Sequence, residues 1–405
     1  MERVKDNLSL EEAVERLLSV IHPLEDIWEC PLDQALGGVL ARDIYAGFDQ
    51  PPFPRSAVDG YALCASYTDG ASREDPRCLP VVGQINAGDA FLGTLLPGQA
   101  VRIMTGAPVP AGCNVCVRQE DTDYGENIVR IFVPYKPWTN YCYAGEDFKA
   151  GEKILTAGTH LGFAEIALLA ALGKSQVPLW ETPQVSFFTT GDELVLPGQP
   201  LAPGKIYDAN FFGLTARLKE LGLPLKETGH LPDDPVLAAQ RIKEAAGRSH
   251  MILTTGGVSV GKKDILHDVL SIVHGKKLFW GIQMKPGMPV LAFFINDTLV
   301  VSLSGNPFGA MAAFEIVVRP VLSKLSRRPE ITPKTVWGIL QDPFPKGGQV
   351  RRFVRAVYKN GNITLPAGSH DSGNLASMAG CNCLIHVPAG TGPLSPGTKV
   401  QAVLL

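Results

Sequence analysis

The sequence predicts a multidomain protein of mixed α/β and β class: a doubly wound α/β domain, a β-rich insert on a helical and extended stem, and a small C-terminal β-barrel or sandwich. Three observations predict it. The chain has 405 residues, between two and three times the roughly 150 of a typical domain. Strand-like and helix-like segments alternate from Gln184 to Ser326, the pattern of a sheet covered by helices. On either side of that stretch, short apolar runs are broken by Pro and Gly turns, in a chain holding 42 glycines and 32 prolines, which reads as β structure.

Taken in order, Ser9 and Glu12 form a capping box before an amphipathic helix with Leu10, Val14, Leu17, Leu18 and Ile21 on one face. Runs such as Leu79 to Val82 and Val101 to Met104 give the insert. A helix from Phe163 to Leu172 is expected to pair with the N-terminal helix, so the stem takes residues 1–48 and 141–180 and the insert 49–140. The α/β domain is placed at 181–326. It has strands at Val185 to Thr189, Leu225 to Thr228 and Met251 to Thr254, two or three more up to Leu303, and helices around Phe211 to Leu221, from Asp233 to Ala246, through Val273, and from Asn306 and Pro307. The C-terminal β domain is placed at 327–405, its clearest element a hairpin in which Asn360-Gly361 supplies the positive φ angles of a type I′ turn.

Charge excludes some functions. With 37 Lys and Arg against 40 Asp and Glu, the net charge of −3 leaves no electrostatic footprint for nucleic acid. Apolar stretches are interrupted by charge, as at Glu165 and Asp297, so a cytoplasmic protein without membrane spans is expected. Eight irregularly placed cysteines read as reduced thiols. Cys113 and Cys116 have metal-ligand spacing, but Cys381 and Cys383 do not complete a zinc set.

In a doubly wound sheet, ligands bind at the carboxyl ends of the strands, where this sequence gathers glycines and acids. The loop TTGGVSVGKKD, residues 254–264, is the sharpest signal. Gly256 and Gly257 let backbone approach a ligand, and free N–H groups with the Ser259 hydroxyl can hold an oxyanion or phosphate. It is neither a Walker loop nor a dinucleotide fingerprint. Asp192, Glu193, Asp208, Asp233, Asp234 and Asp264 lie on the same presumptive loops. Acids beside an oxyanion site repel its ligand unless a divalent cation, naturally Mg2+, bridges the two. N-capping is the competing account of Asp233 and Asp234. Lys285, in QMKPGMP, could reach an anion as a point charge. Arg351, Arg352 and Arg355 alternate along a strand and read as a basic exposed face. No nucleophile motif and no histidine cluster emerges.

Together these motifs resemble the molybdopterin molybdotransferase family, that of MoeA and the gephyrin E domain. PPFPRSAVDGYAL, MTGAPVP, AGEDFKAGEKIL, TTGDEL, GKIYDAN, TTGGVSVGKKD, MKPGMP and LSGNP occur in family order over nearly the whole chain. The resemblance implies an α/β domain of molybdopterin-binding type and a homodimer of L-shaped protomers, the site lying between one protomer's α/β and barrel domains and the other's insert. It also implies transfer of molybdenum from molybdate into adenylylated molybdopterin with divalent-metal help and release of AMP, the upstream adenylyltransferase being a candidate partner. Carried over by motif, Asp59, Glu193, Asp233, Asp264 and Lys285 would serve the reaction, with Glu193 and Asp264 on the metal. Thr105, Asp147, Asp208, Gly256, Gly257, Ser259, Asn306, Arg355 and Ser372 would bind substrate. Met288 stands where the family commonly has a second lysine, and Gly309 where it has a serine. These departures leave open a tungstate-using homologue and a carrier or scaffold that binds molybdopterin without turnover.

Overall fold

A computed structural model describes residues 6–89, 91, 93–259, 264–368 and 370–405. The chain divides into two compact units: one holds the chain up to Cys30, Gly37–Val39 and Pro178–Leu405, the other Pro31–Leu36 and Leu40–Val177.

The first helix, α1 (Leu10–Val20), begins with the expected capping box: Ser9 Oγ accepts from Glu12 N, and Glu12 Oε2 accepts from Ser9 N. Its apolar stripe, Leu10, Ala13, Leu17 and, just beyond, Ile21, is buried in the core of the larger unit. The helix at 163–172, expected to pair with it, falls in the other unit. That helix, α2 (Phe163–Ala171), belongs to the smaller unit and packs there on the turn Leu32–Gln34. Both helices present apolar stripes, and periodicity cannot say which partner a stripe will find.

The smaller unit carries the β-rich insert as a five-stranded sheet. Its strands are β1 (Gly60–Leu63), β2 (Arg77–Ile85), β3 (Ala100–Ile103), β4 (Val115–Arg118) and β5 (Ile128–Ile131), in the order β4-β1-β3-β2-β5. Cys113 and Cys116 are buried in its core, and burial pushes their thiols up to about 12 and about 11. They behave as small hydrophobes.

The larger unit is the α/β part. Its strands are β6 (Val185–Thr190), β7 (Leu225–Leu231), β8 (Met251–Thr255), β9 (Lys276–Trp280), β10 (Leu291–Ile295) and β11 (Thr298–Leu303), in the order β7-β6-β8-β11-β10-β9. The first four in that row run parallel, and β10 and β9 add an antiparallel edge. Helices α3 (Ala209–Glu220), α6 (Pro307–Ala313) and α7 (Arg319–Leu325) join α1 in the core on one face. Helices α4 (Pro235–Ala246) and α5 (Leu266–Ile272) cover the other. Expected elements thus recur with ends moved by one to a few residues; the expected start of the helix running to Val273 lies outside the described residues.

Five further strands close a barrel: β12 (Thr335–Leu340), β13 (Arg352–Lys359), β14 (Asn362–Thr364), β15 (Cys383–Val387) and β16 (Lys399–Leu404). The Asn360-Gly361 turn has the expected positive φ angles, +49° and +82°. The expected basic exposed face does not exist. Arg355 is fully buried and Arg351 pairs with Glu11, because the outer side of β13 is covered by the α/β part: Phe353 joins its core, and Phe353 N donates to Lys285 O.

Candidate active site

Strands β6 and β8 are neighbours whose connections leave in opposite directions, which opens a crevice at their carboxyl ends. Strand β6 ends at Thr190, followed by Gly191 at φ +131°; a Cβ there would come within 2.7 Å of the Glu193 carboxylate. Strand β8 ends at Thr255, followed by Gly256 and Gly257 at φ +86° and +63°. A Cβ on Gly256 would stand 2.6 Å from Thr190 O and Oγ1, so only glycine lets the two loops close on each other. After β11 the chain turns through Ser304 and Gly305, Asn306 takes the N-cap position of α6 without a side-chain cap bond, and Pro307 takes its first position.

These loops, with Ile206–Asn210, line a cavity of about 480 Å3. Of the sequence candidates, Glu193, Asp208, Asp233, Gly256, Gly257, Ser259, Asp264 and Asn306 meet there. Val260 to Lys263, the rest of the glycine-rich motif, lie outside the described residues. Four of the lining side chains are carboxylates, and among the described lining residues none is Lys, Arg or His. An anionic ligand entering this cavity needs a cation with it.

The acids differ in what else they do. Asp208 is buried; its Oδ1 caps α3 by accepting from Phe211 N, and its Oδ2 accepts from Thr189 Oγ1 at 2.6 Å. Asp234 is the N-cap of α4, which leaves Asp233 to face the cavity. Asp192 N donates to Asp233 Oδ2, and Asp233 N to Asp192 Oδ1, tying the loops after β6 and β7 together. Thr190, Tyr207, Asn210 and Ser304 also line the cavity but were not singled out from sequence, although all four sit inside or beside the motifs that were.

The remaining candidates lie elsewhere. Lys285 is exposed on a short parallel bridge with Arg352 of the barrel. Ser372 Oγ accepts from Asn306 Nδ2 at 3.3 Å, and its carbonyl accepts from Phe308 N. Arg355 holds the same loop: its guanidinium donates to the carbonyls of Asp371 and Asn374 and lies 4.1 Å from the Phe308 ring centroid. Burial pulls its pKa below the usual guanidinium range. Asp59, Thr105 and Asp147 belong to the smaller unit. There Asp59 Oδ1 accepts from both Thr105 N and Thr105 Oγ1, at 2.7 and 2.8 Å; the backbone bond first, then the hydroxyl, holds the carboxyl below its ordinary value.

Three family models match the chain: the MoeA N-terminal region (domain I and II) over residues 8–173, a probable molybdopterin binding domain over 186–324, and the MoeA C-terminal region (domain IV) over 338–405. A protein named molybdopterin molybdenumtransferase from Staphylococcus epidermidis is 32% identical over 400 residues, 98% of this chain and 95% of its own. One of the same name from Bacillus subtilis is 34% identical over 407 residues, 98% of this chain and 94% of its own. The crystal structure of a molybdopterin biosynthesis MoeA protein from Pyrococcus horikoshii superposes with a TM-score of 0.82 at 29% identity, covering 98% of this chain and 99% of that one. Among the described residues no helix is long and apolar enough to cross a membrane.

Proposed function

The chain belongs to the MoeA family, and from that premise we propose that it transfers molybdenum from molybdate into adenylylated molybdopterin with release of AMP, as the final insertion step of molybdenum cofactor biosynthesis. One observation carries the reading: Glu193, Asp233 and Asp264 line the same cavity as the Gly256-Gly257 loop, so a glycine turn suited to a phosphate and acids suited to a cation share one ligand volume.

Among the described residues no three His, Cys, Asp or Glu side chains gather into a metal cluster. Mg2+ asks for less, one or two carboxylates with phosphate oxygens and water completing the shell, and a set of carboxylates suits so hard a cation. Glu193 and Asp264 would hold it, and when bound it neutralises charge on the pyrophosphate. The chain's own groups do the rest. Gly256 N already donates to Leu303 O, so the Gly257 amide and the Ser259 hydroxyl donate to phosphate oxygens, Asp233 keeps the loops after β6 and β7 in register, and Lys285 attracts the oxyanion. We propose further that the protein acts in the cytoplasm as a homodimer and receives its substrate from a molybdopterin adenylyltransferase.

The test is AMP release from adenylylated molybdopterin with Mg2+, comparing no oxyanion, molybdate and tungstate. Release stimulated by molybdate, and lost in a folded Asp264→Asn variant, is expected. A preference for tungstate would rename the metal. Binding without release would establish a carrier, the reading that Met288 favours by leaving Lys285 the single cation of its turn.

A further inference from the structure

Trp280 ends β9 and is 1% exposed, in the core that also buries Val258 and Leu266. Its indole Nε1, a donor and nothing else, donates to Val258 O at 3.1 Å. The residue is held on three sides: the His267 ring crosses the indole at 67° with 4.0 Å between centroids, Trp280 N donates to Asp6 Oδ2 at 2.7 Å, and Trp280 O accepts from Asp6 N at 2.8 Å. One residue earlier in the glycine-rich loop the pattern repeats, since Gly257 O accepts from Leu266 N, at the start of α5, at 3.0 Å. In a planar trans peptide the carbonyl and the following N–H point in opposite directions. Among the described residues the cis bonds are Gln50-Pro51 and Lys285-Pro286, so both of these loop peptides are trans. Their carbonyls are taken up by donors of one core, and the amides of Val258 and Ser259 are therefore turned away from it, on a loop that lines the cavity. Successive amides turned one way make a seat for an anion.

We infer that Trp280 is a positioning residue for this site: by holding Val258 O, its indole N–H keeps the Ser259 amide aimed at the substrate's pyrophosphate. The inference rests on the function proposed above. A serine hydroxyl can rotate toward an anion by itself, whereas a backbone amide is aimed only when its peptide plane is fixed. Without the indole donor, Val258 O becomes an unsatisfied acceptor in an apolar core, and the peptide turns to find another donor, carrying the Ser259 N–H with it. Trp280 acts from behind the loop and touches no ligand.

The probe is inorganic pyrophosphate with Mg2+, titrated into the full chain by calorimetry, while NMR of protein carrying isotopically labelled serine follows the Ser259 amide, its signal identified by its loss in Ser259→Ala. In wild type the Ser259 amide proton is expected to move downfield on binding, as a donor to a charged oxygen does. Trp280→Phe keeps an aromatic ring and loses the N–H; it is expected to bind pyrophosphate about tenfold more weakly, with that movement abolished. Val269→Ala opens space in the same core without touching the bond. It should lower the melting temperature and leave the affinity and the amide movement as in wild type, which separates positioning from packing. A loss in Val269→Ala equal to that in Trp280→Phe overturns the inference, and so does a Trp280→Phe chain that binds as wild type does. An unmoved Ser259 amide in wild type, or no binding of pyrophosphate, overturns it without reference to any variant. AMP release by wild type together with an indifferent Trp280→Phe would sink this inference alone; a Trp280-dependent pyrophosphate seat in a chain that releases no AMP would sink the transferase reading alone.

Discussion

At Gly256 an added methyl group would meet two oxygens of Thr190 at 2.6 Å from a backbone already at φ +86°. Gly256→Ala is therefore expected to part the loops after β6 and β8, costing about 1–3 kcal/mol for the backbone conformation alone and abolishing AMP release; urea unfolding and the turnover assay read the two effects. An alanine variant as stable and active as wild type would show that the loops need not close so tightly. The glycine itself was legible, because a Gly-Gly pair after a β-branched strand signals a positive-φ turn. The division of labour between Asp233 and Asp234 was not: two adjacent acids before a proline look alike until the structure shows one capping α4 and the other facing the cavity. Arg355 misled for a related reason, since alternation marks faces of a strand and does not say which face a neighbouring domain covers.

Between α6 and α7 the helix loosens into a π-helical turn, Phe314–Val318, and that turn carries a buried ion network. Glu315 accepts from Arg217 Nε at 2.7 Å and from Arg319 Nη1 at 2.5 Å, with its side chain 5% exposed. Arg319 also donates to Ile331 O. Glu315→Leu leaves the buried Arg319 without its acid and Arg217 with Glu220 alone, and is expected to destabilise the larger unit by about 3–5 kcal/mol, seen as a lower denaturant midpoint, while the double variant with Arg319→Met recovers part of the loss. No recovery would mean that the arginine is held by its carbonyl partners instead. Nothing in the sequence announces this network, because Arg217 and Glu315 lie in different helices and only folding brings them together. Elements whose cause is local were legible for the opposite reason: Ser9 and Glu12 cap α1 through their own turn, and Asn360-Gly361 makes its hairpin unaided.

Across the whole molecule, the order of motifs announced the architecture, and the six-stranded sheet and closed barrel are both present. The assignment of α1 was not legible, because its apolar stripe suits any helix-sized groove and the one it fills is built mainly from residues beyond Val185. At this scale the proposed homodimer is tested by light scattering at micromolar concentration, where twice the 43.5 kDa chain mass is expected and a single-chain mass would refute the assembly.

Because α1 packs on α7, a helix made before the whole insert waits for one of the last helices of the α/β part. At about 5–20 residues per second, that interval is on the order of tens of seconds. The stretch Leu40–Val177 needs little from later chain to complete its own contacts, so it can fold while synthesis continues. The nascent protein then carries a finished insert beside a helix whose Leu10, Ala13 and Leu17 are still in water, and that stripe is open to a chaperone at the exit tunnel until α7 is made.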